Sequence, residues 1–245
     1  MQGPLHFELH TVDSVKSTNT SLKALAKEGA PEGYVLTALS QTNGRGRLNR
    51  VFFSPKDTGL YVSVLLRPTV PLSPAVLTCM SAVAVLETIE SYRIPASIKW
   101  VNDVYVRGKK VVGILTEGAM RADGLLEYAV IGIGVNLFPP KDGFPESIRD
   151  HAGTVFEEAP DPALKNEFLK RLLQRIKLYY ELLPETTFAE TYRLKQLIYG
   201  CPILFGDGDR TLRGVAADID ADFRLIASCS DGTRHVLDRG DVTIL

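Results

Sequence analysis

Cysteine is scarce in this chain of 245 residues: Cys79, Cys201 and Cys229 are the only three, and none belongs to a CxxC pair. An odd, scattered set excludes a disulfide scaffold and a cysteine-rich zinc site, and it suits a reducing compartment, so a cytoplasmic protein is expected. Histidine occurs four times (His6, His10, His151, His235), at spacings that build no zinc cluster. Charge of neither sign dominates. Lys plus Arg number 28 against 29 for Asp plus Glu, a formal net charge of −1, which argues against a general polyanion binder and against DNA binding. The longest helical apolar stretch, 75–86, is too short to cross a bilayer, and no secretory leader precedes it, so no membrane partner is expected. Neither a GxxxxGK[ST] phosphate loop nor a GxSxG nucleophile elbow is present. What remains is an ordinary globular composition, 45% hydrophobic and 23% charged.

Hydrophobic spacing then organises the chain. Ser17, Thr18 or Asn19 can cap a helix over 17–28, in which Leu22, Leu25 and Ala26 recur at helical intervals and Gly29 supplies the stop. The β-branched runs 34–39 and 59–66 read as buried strands. Ser73-Pro74 opens a long helix to about Tyr92. Three more strands follow: 97–100 with a continuation through 106, then 110–117, then 127–137, with Arg107-Gly108-Lys109 turning between the first two. Asp161-Pro162 opens an amphipathic helix along Phe168, Leu172, Ile176, Tyr179 and Leu183, and 188–198 reads as one helix more. Past Gly200 the helical period disappears. Short β-like runs separated by Gly-Asp and Asp-Gly turns predict a small β-barrel-like unit over 200–245, too small to be stable without docking or exceptional packing. The expected class is α/β (α+β).

Candidate chemistry concentrates in a few segments. Residues 41–58 connect two strands without periodicity of their own, a length typical of a functional lid or of disorder. They hold Arg45, Arg47, Arg50 and Lys56, interleaved with Gly44 and Gly46, and no acid before Asp57. Glycine permits close backbone approach and arginine forks grip oxyanions, so the segment reads as a mobile anion clamp; a solvated basic loop has the same composition. Lys99-Trp100-Val101-Asn102-Asp103 gathers Lys, Asn and Asp at a strand end, where Asp103 could hold Mg²⁺ and Lys99 a phosphate, although a hairpin turn needs neither. Lys110 opens the next strand, facing either a pocket or water. Gly132-Ile133-Gly134-Val135-Asn136 starts like a dinucleotide fingerprint, but Leu137 replaces the third glycine and Pro139-Pro140 forbids the helix that must follow. A strand end of close approach, with Asn136 presenting an amide, stays open.

Taken in order, Ser17-Thr18-Asn19, Gln41-x-x-Gly44-Arg45-Gly46-Arg47, Lys99-Trp100-x-Asn102-Asp103, Lys110-x-x-Gly113-Ile114-Leu115-x-Glu117 and Gly132-x-Gly134-x-Asn136 resemble the biotin protein ligase family. The likeness runs through nearly the whole chain, because Gly214, Asp220 and Asp231-Gly232 are similar to that family's C-terminal SH3-like barrel. The resemblance implies a class II synthetase-like catalytic domain over 1–199, a mixed sheet flanked by helices, and an SH3-like barrel over 200–245. It departs from the common bacterial pattern at Leu48-Asn49-Arg50, where Arg-Gly-Arg is frequent, at Phe52 in place of Trp, and at Val101 in place of Pro. Asn49 is the residue expected to take a left-handed turn conformation there.

The resemblance also implies an activity. Such ligases use ATP and Mg²⁺ to convert biotin to biotinyl-5′-adenylate with release of pyrophosphate, then pass biotin to a lysine of a biotin carboxyl carrier domain. Lys110, Arg45 and Asp103 are the implied catalytic residues, Asp103 also the metal residue and a candidate proton acceptor. Ser17, Thr18, Asn19, Gln41, Gly44, Gly46 and Gly113 join Arg45, Arg47 and Lys110 around biotin. Arg47, Arg50, Lys99, Trp100, Asn102, Asp103, Gly134 and Asn136 are implied for ATP. With the first motif only seventeen residues from Met1, a monofunctional ligase without a DNA-binding domain is expected, in a homodimer formed through the central sheet. A lipoate or octanoate ligase of the same fold and a non-catalytic biotin sensor are the competing readings.

Overall fold

The strand-forming runs assemble into one seven-stranded mixed sheet and one smaller antiparallel sheet. The structure, a computed structural model, describes residues 4–207, 210–238, 240 and 242–245, with only the backbone of residues 49 and 207. In chain order the first part comprises β1 (Glu8–Val15), α1 (Thr18–Lys27), β2 (Tyr34–Gln41), β3 (Gly59–Leu66), α2 (Pro74–Glu90), β4 (Ser97–Lys99), β5 (Asp103–Val106), β6 (Lys109–Met120) and β7 (Leu126–Asn136). There follow α3 (Glu146–Arg149), α4 (Pro162–Glu181) and α5 (Ala189–Leu194). The strand order is β1-β2-β3-β7-β6-β5-β4, with β1 parallel to β2 and the other neighbours antiparallel. The expected mixed sheet flanked by helices is what the chain forms.

Two differences from the sequence reading have clear causes. The stretch 97–106 is not continuous: it folds into the β4–β5 hairpin, with Lys99 opposite Asp103. The helix expected over 188–198 stops at Leu194, because the backbone after it is used elsewhere: Ile98 donates to the Lys195 carbonyl and Leu197 donates back to that of Ile98. Strand β1 carried no apolar signal. It lies at the sheet edge with most of its side chains in water, held by its ladder to β2.

Alternation along the strands gives the sheet two unlike faces. Leu60, Val62, Val64 and Leu66 of β3, with Ala129, Ile131, Ile133 and Val135 of β7, point into the main core beneath helix α2, buried over most of its length, and the apolar stripe of α4. On the other face Leu65, Tyr128 and Val130 pack against Leu22 and Ala26 of α1. That helix covers only one end of its face. At the uncovered end the same rows continue with Tyr61 and Ser63 of β3, Gly132 and Gly134 of β7, and Gly113 and Leu115 of β6, where Gly113 pairs with Gly134 and Leu115 with Gly132. Small residues at Ser63, Gly113, Gly132 and Gly134 replace the large apolar ones in the middle of this face, and the hollow that results is the candidate site.

Beyond the left-handed Gly200, β8 (Pro202–Asp207), β9 (Arg210–Ile219), β10 (Leu225–Ser228), β11 (Arg234–Leu237) and β12 (Val242–Ile244) form an antiparallel sheet in the order β11-β10-β9-β8-β12. Its core residues Ile203, Phe205 and Leu225 are continuous with the main core. Phe223 stacks on Phe188 at 5.5 Å, Arg193 donates to the carbonyls of Ile219 and Asp220, and the buried Trp100 indole N–H donates to the Phe223 carbonyl at 2.9 Å. Among the described residues no helix is long and apolar enough to cross a membrane. Trp100→Phe would strip the buried Phe223 carbonyl of its donor and leave a small void. A loss of about 1–3 kcal/mol is expected, read as a lower urea midpoint with an unchanged slope.

Candidate active site

A cavity of about 610 Å³ opens on the hollow end of the sheet. Its neutral end is built by the start of α1. Ser17 caps that helix by accepting from the Thr20 N–H, and Ser17, Thr18 and Asn19 are all buried. Buried polar groups must be paired, and here they are. The Thr18 N–H and hydroxyl both donate to Gln41 Oε1, at 2.9 and 3.2 Å. Gln41 Nε2 donates to the Ser54 hydroxyl, which donates to the Phe52 carbonyl. Ser63, fully buried on β3, lies 2.8 Å from Thr18 Oγ1 and donates to Asn19 Oδ1 at 2.7 Å. The Asn19 amide nitrogen donates to the Leu115 carbonyl and to Glu117. A lone Ser in the apolar run of β3 was the one sequence signal for Ser63.

Glycine explains how these groups reach the sheet. A Cβ at Gly132 would stand 2.1 Å from Asn19 Oδ1, and one at Gly134 would stand 2.5 Å from the Phe52 ring. Phe52 lies across Gly113 and Gly134 as one wall of the cavity. The Gly-x-Gly of β7 therefore marks close approach by two side chains, the alternative the sequence had left open. Tyr61 closes the floor. Burial pushes its phenol up to about 12, a side-chain hydrogen bond with Thr58 opposes the rise and the nearby Asp57 charge adds to it, and its O–H donates to the Pro55 carbonyl.

The opposite end is cationic. The segment between β2 and β3 folds back on itself, with Arg45 bridged to Val51, Phe52 donating to the Gly44 carbonyl and Gly46 to that of Arg50. The left-handed residue of its turn is Leu48 (φ 53°), not Asn49 as the sequence suggested, because this pairing puts the reversal one residue earlier. Arg45, Arg47 and Arg50 from this segment meet Lys99 and Lys110 at the cavity, where Asp103 is the sole carboxylate among the described lining residues. Lys110 Nζ lies 2.6 Å from Asp103 Oδ1. Arg47 donates to Asn102 Oδ1 at 3.0 Å and to the Gly240 carbonyl at 2.9 Å, so the second sheet reaches the rim, joined there by Thr243 and Ile244. Arg45 contacts Glu117, which also accepts from Lys23. Burial would raise the Glu117 carboxyl, but hydrogen bonds from Lys23 and Asn19 and the charges of Lys23 and Arg45 outweigh it and hold it below the usual carboxylate range.

Nearly every residue singled out from the sequence meets this one cavity, including Gly46, Gly113, Gly134 and Asn136. Two do not. Trp100, implied for ATP, is turned into the core with its N–H spent on Phe223, because the indole is the anchor of the second sheet. Gly44 lies behind the lining, where a Cβ would stand 2.4 Å from the Phe52 carbonyl oxygen and 2.6 Å from the Ser54 hydroxyl, so it serves the fold of the segment. Asn136 donates its amide to the Gly153 carbonyl, which draws residues 148–152 to the rim. Phe52, Ser63, His151 and the rim of the second sheet were not implied as site residues, and Glu117, which ended one of the motifs, was given no role; tertiary proximity brings them together here. Among the described residues no three His, Cys, Asp or Glu cluster as a metal site. Asp103 is the carboxylate that the described lining offers to a cation.

A mixed sheet carrying a polar pocket that runs into a cationic cleft can receive a ligand with a neutral polar end and an anionic one. The model of the biotin/lipoate A/B protein ligase family matches residues 11–136. The chain is 32% identical over 252 residues to a biotin--[acetyl-CoA-carboxylase] ligase of Mycobacterium tuberculosis, covering 97% of this chain and 89% of that protein. It is 42% identical over 145 residues to the bifunctional ligase/repressor BirA of Bacillus spizizenii, a match that spans 58% of this chain but only 44% of that relative. In three dimensions it is similar to the biotin protein ligase of Aquifex aeolicus in complex with biotin and ATP, with a TM-score of 0.81, 29% identity and coverage of 97% and 98% of the two chains. The chain belongs to the biotin/lipoate A/B protein ligase family.

The steric reading of Gly132 has a direct check. Asn19 is held on three sides, so an added methyl cannot be accommodated by a simple swing of its amide. Gly132→Ala should destabilise the protein by about 1–3 kcal/mol, seen as a Tm lower by several degrees.

Proposed function

We propose that this protein is an ATP-dependent biotin ligase: it joins biotin to AMP with release of pyrophosphate, then transfers biotin to a lysine of a biotin carboxyl carrier domain. The observation that carries the reading is the two-ended cavity, with the neutral Ser17–Gln41 cluster at one end and Arg45, Arg47, Lys99 and Lys110 at the other. A cyclic urea presents N–H donors and a carbonyl acceptor, and the hydroxyls and amides at the neutral end offer the matching partners. The valerate carboxylate then points toward the cations.

In this reading a biotin carboxylate oxygen attacks the α-phosphorus of ATP, a P–O bond forms, and the bond to pyrophosphate breaks. Two anions have to meet, and fixed cations in a water-poor cleft lower that barrier most effectively. Lys110 is the assigned charge-stabilising group. Asp103 orients its ammonium from 2.6 Å. Arg45 and Arg47 cover the mixed anhydride and limit hydrolysis. In the second step the carrier lysine, ordinarily protonated at neutral pH, loses a proton and attacks the acyl carbon, and AMP leaves. Lys99, Asn102 and Arg50 take the phosphates, and residues 148–152 with Asn136 flank the base. When bound, Mg²⁺ would supply further charge on the phosphates, and Asp103 is the residue that would hold it.

Biotin-dependent exchange of labelled pyrophosphate into ATP, and ATP-dependent labelling of a carrier domain, are the expected activities. Exchange with lipoate instead of biotin, or biotin binding with no exchange, would replace this reading with one of its competitors. Lys110→Ala should cut exchange by about 10²–10³-fold with the thermal transition intact. Arg45→Ala should release biotinyl-adenylate into solution, seen as stray labelling of a bystander protein; unchanged release would remove the covering role of that loop.

A further inference from the structure

Glu117 lies outside the cavity lining yet touches both of its ends. It stands on β6 opposite Val130 of β7, at the line where α1 stops covering the sheet. Its side chain is 17% exposed, an unusual depth for a carboxylate. Oε1 accepts from Lys23 at 2.7 Å and from Arg45 Nη1 at 3.2 Å, and Oε2 accepts from the Asn19 amide at 3.2 Å. Lys23 alone would neutralise this charge and fasten α1 to the sheet. Arg45, brought in from a segment 72 residues away in sequence, is not needed for that.

The backbone at Arg45 is already fixed by its bridge to Val51 and by the crowding at Gly44, so only the guanidinium needs a partner. Glu117 engages Arg45 through Nη1, and a guanidinium carries five N–H donors, so the same side chain can grip an anion through its other nitrogens. We propose that Glu117 is a positioning residue, a counter-ion latch that holds Arg45 over the cavity and thereby retains the acyl-adenylate. This rests on the ligase reading above. The latch makes the cavity mouth depend on one ion pair whose acid never meets the substrate, while Lys23 on the same carboxylate serves the fold.

The test measures escape of biotinyl-adenylate from the full-length protein, by chasing preformed complex with unlabelled biotin and ATP. Glu117→Gln should speed escape at least 5-fold, and in an Arg45→Ala background the same substitution should change it less than 2-fold. Lys23→Ala, which removes the other cation, should leave escape within 2-fold of the parent. Equal acceleration by Glu117→Gln in both backgrounds, or by Lys23→Ala as well, would mean a purely structural ion pair and overturn the latch. If Glu117→Gln does not fold, Glu117→Asp keeps the charge but withdraws it by one methylene, and it must also accelerate escape. A parent protein that forms no adenylate ends the ligase reading and the latch with it; one that forms and retains it, with Glu117→Gln unchanged, ends the latch alone.

Discussion

Where Asn19 crosses Gly132, the sheet offers no side chain at all, and the rest of the site follows from that contact. Helix α1 can bring its capped end down onto β3 and β7 only because Ser63 and Gly132 leave room, and Phe52 can form a wall only because Gly113 and Gly134 do the same. A larger residue in any of these rows would lift the helix or the ring off the sheet and erase the cavity. Backbone proximity, secured by missing atoms, is the constraint from which the polar cluster draws its geometry. The cost is a face with little apolar packing at one end, offset by the largely buried α2 and its strands on the other.

The cationic end obeys a different logic. Basic side chains that crowd a cleft need partners, and three of the five here are held by specific ones: Lys110 by Asp103, Arg47 by Asn102 and the Gly240 carbonyl, Arg45 by Glu117. These partners come from β5, β6, the β4–β5 turn and the second sheet. The smaller sheet is therefore part of the site's architecture: Trp100 fastens it beneath the turn that presents Lys99 and Asn102, and Gly240 meets the arginine segment above. A single carboxylate among the described lining residues, against five basic side chains, favours negative charge in the cleft.

How far the fold was legible depends on where each element gets its stability. Strand β3, helix α2 and helix α4 bury continuous apolar surface, so hydrophobic periodicity located them closely. Strand β1 buries little and is held by backbone pairing to β2, which leaves no side-chain pattern to read. The end of α5 was misplaced because Lys195 and Leu197 pair with Ile98, a partner nearly a hundred residues away. Within the site, motif order revealed most lining residues, while Trp100 was misjudged: a lone Trp beside Asn and Asp looks like a ligand contact until the second sheet is seen to claim its N–H.

The amino-acid sequence by itself determined the polar and cationic groups, the glycines among them, the division between a helix-bearing part and a β-rich tail, and the order in which these features occur. Those properties are local: composition, spacing and turn chemistry act over a few residues. Only the tertiary structure decided that Glu117 reaches Arg45, that Phe52 rests on two glycines from different strands, that Ser63 joins the polar cluster, and that the tail completes the rim. Each of these is a contact between residues far apart in the chain, fixed by strand register and helix docking, which no short-range pattern encodes.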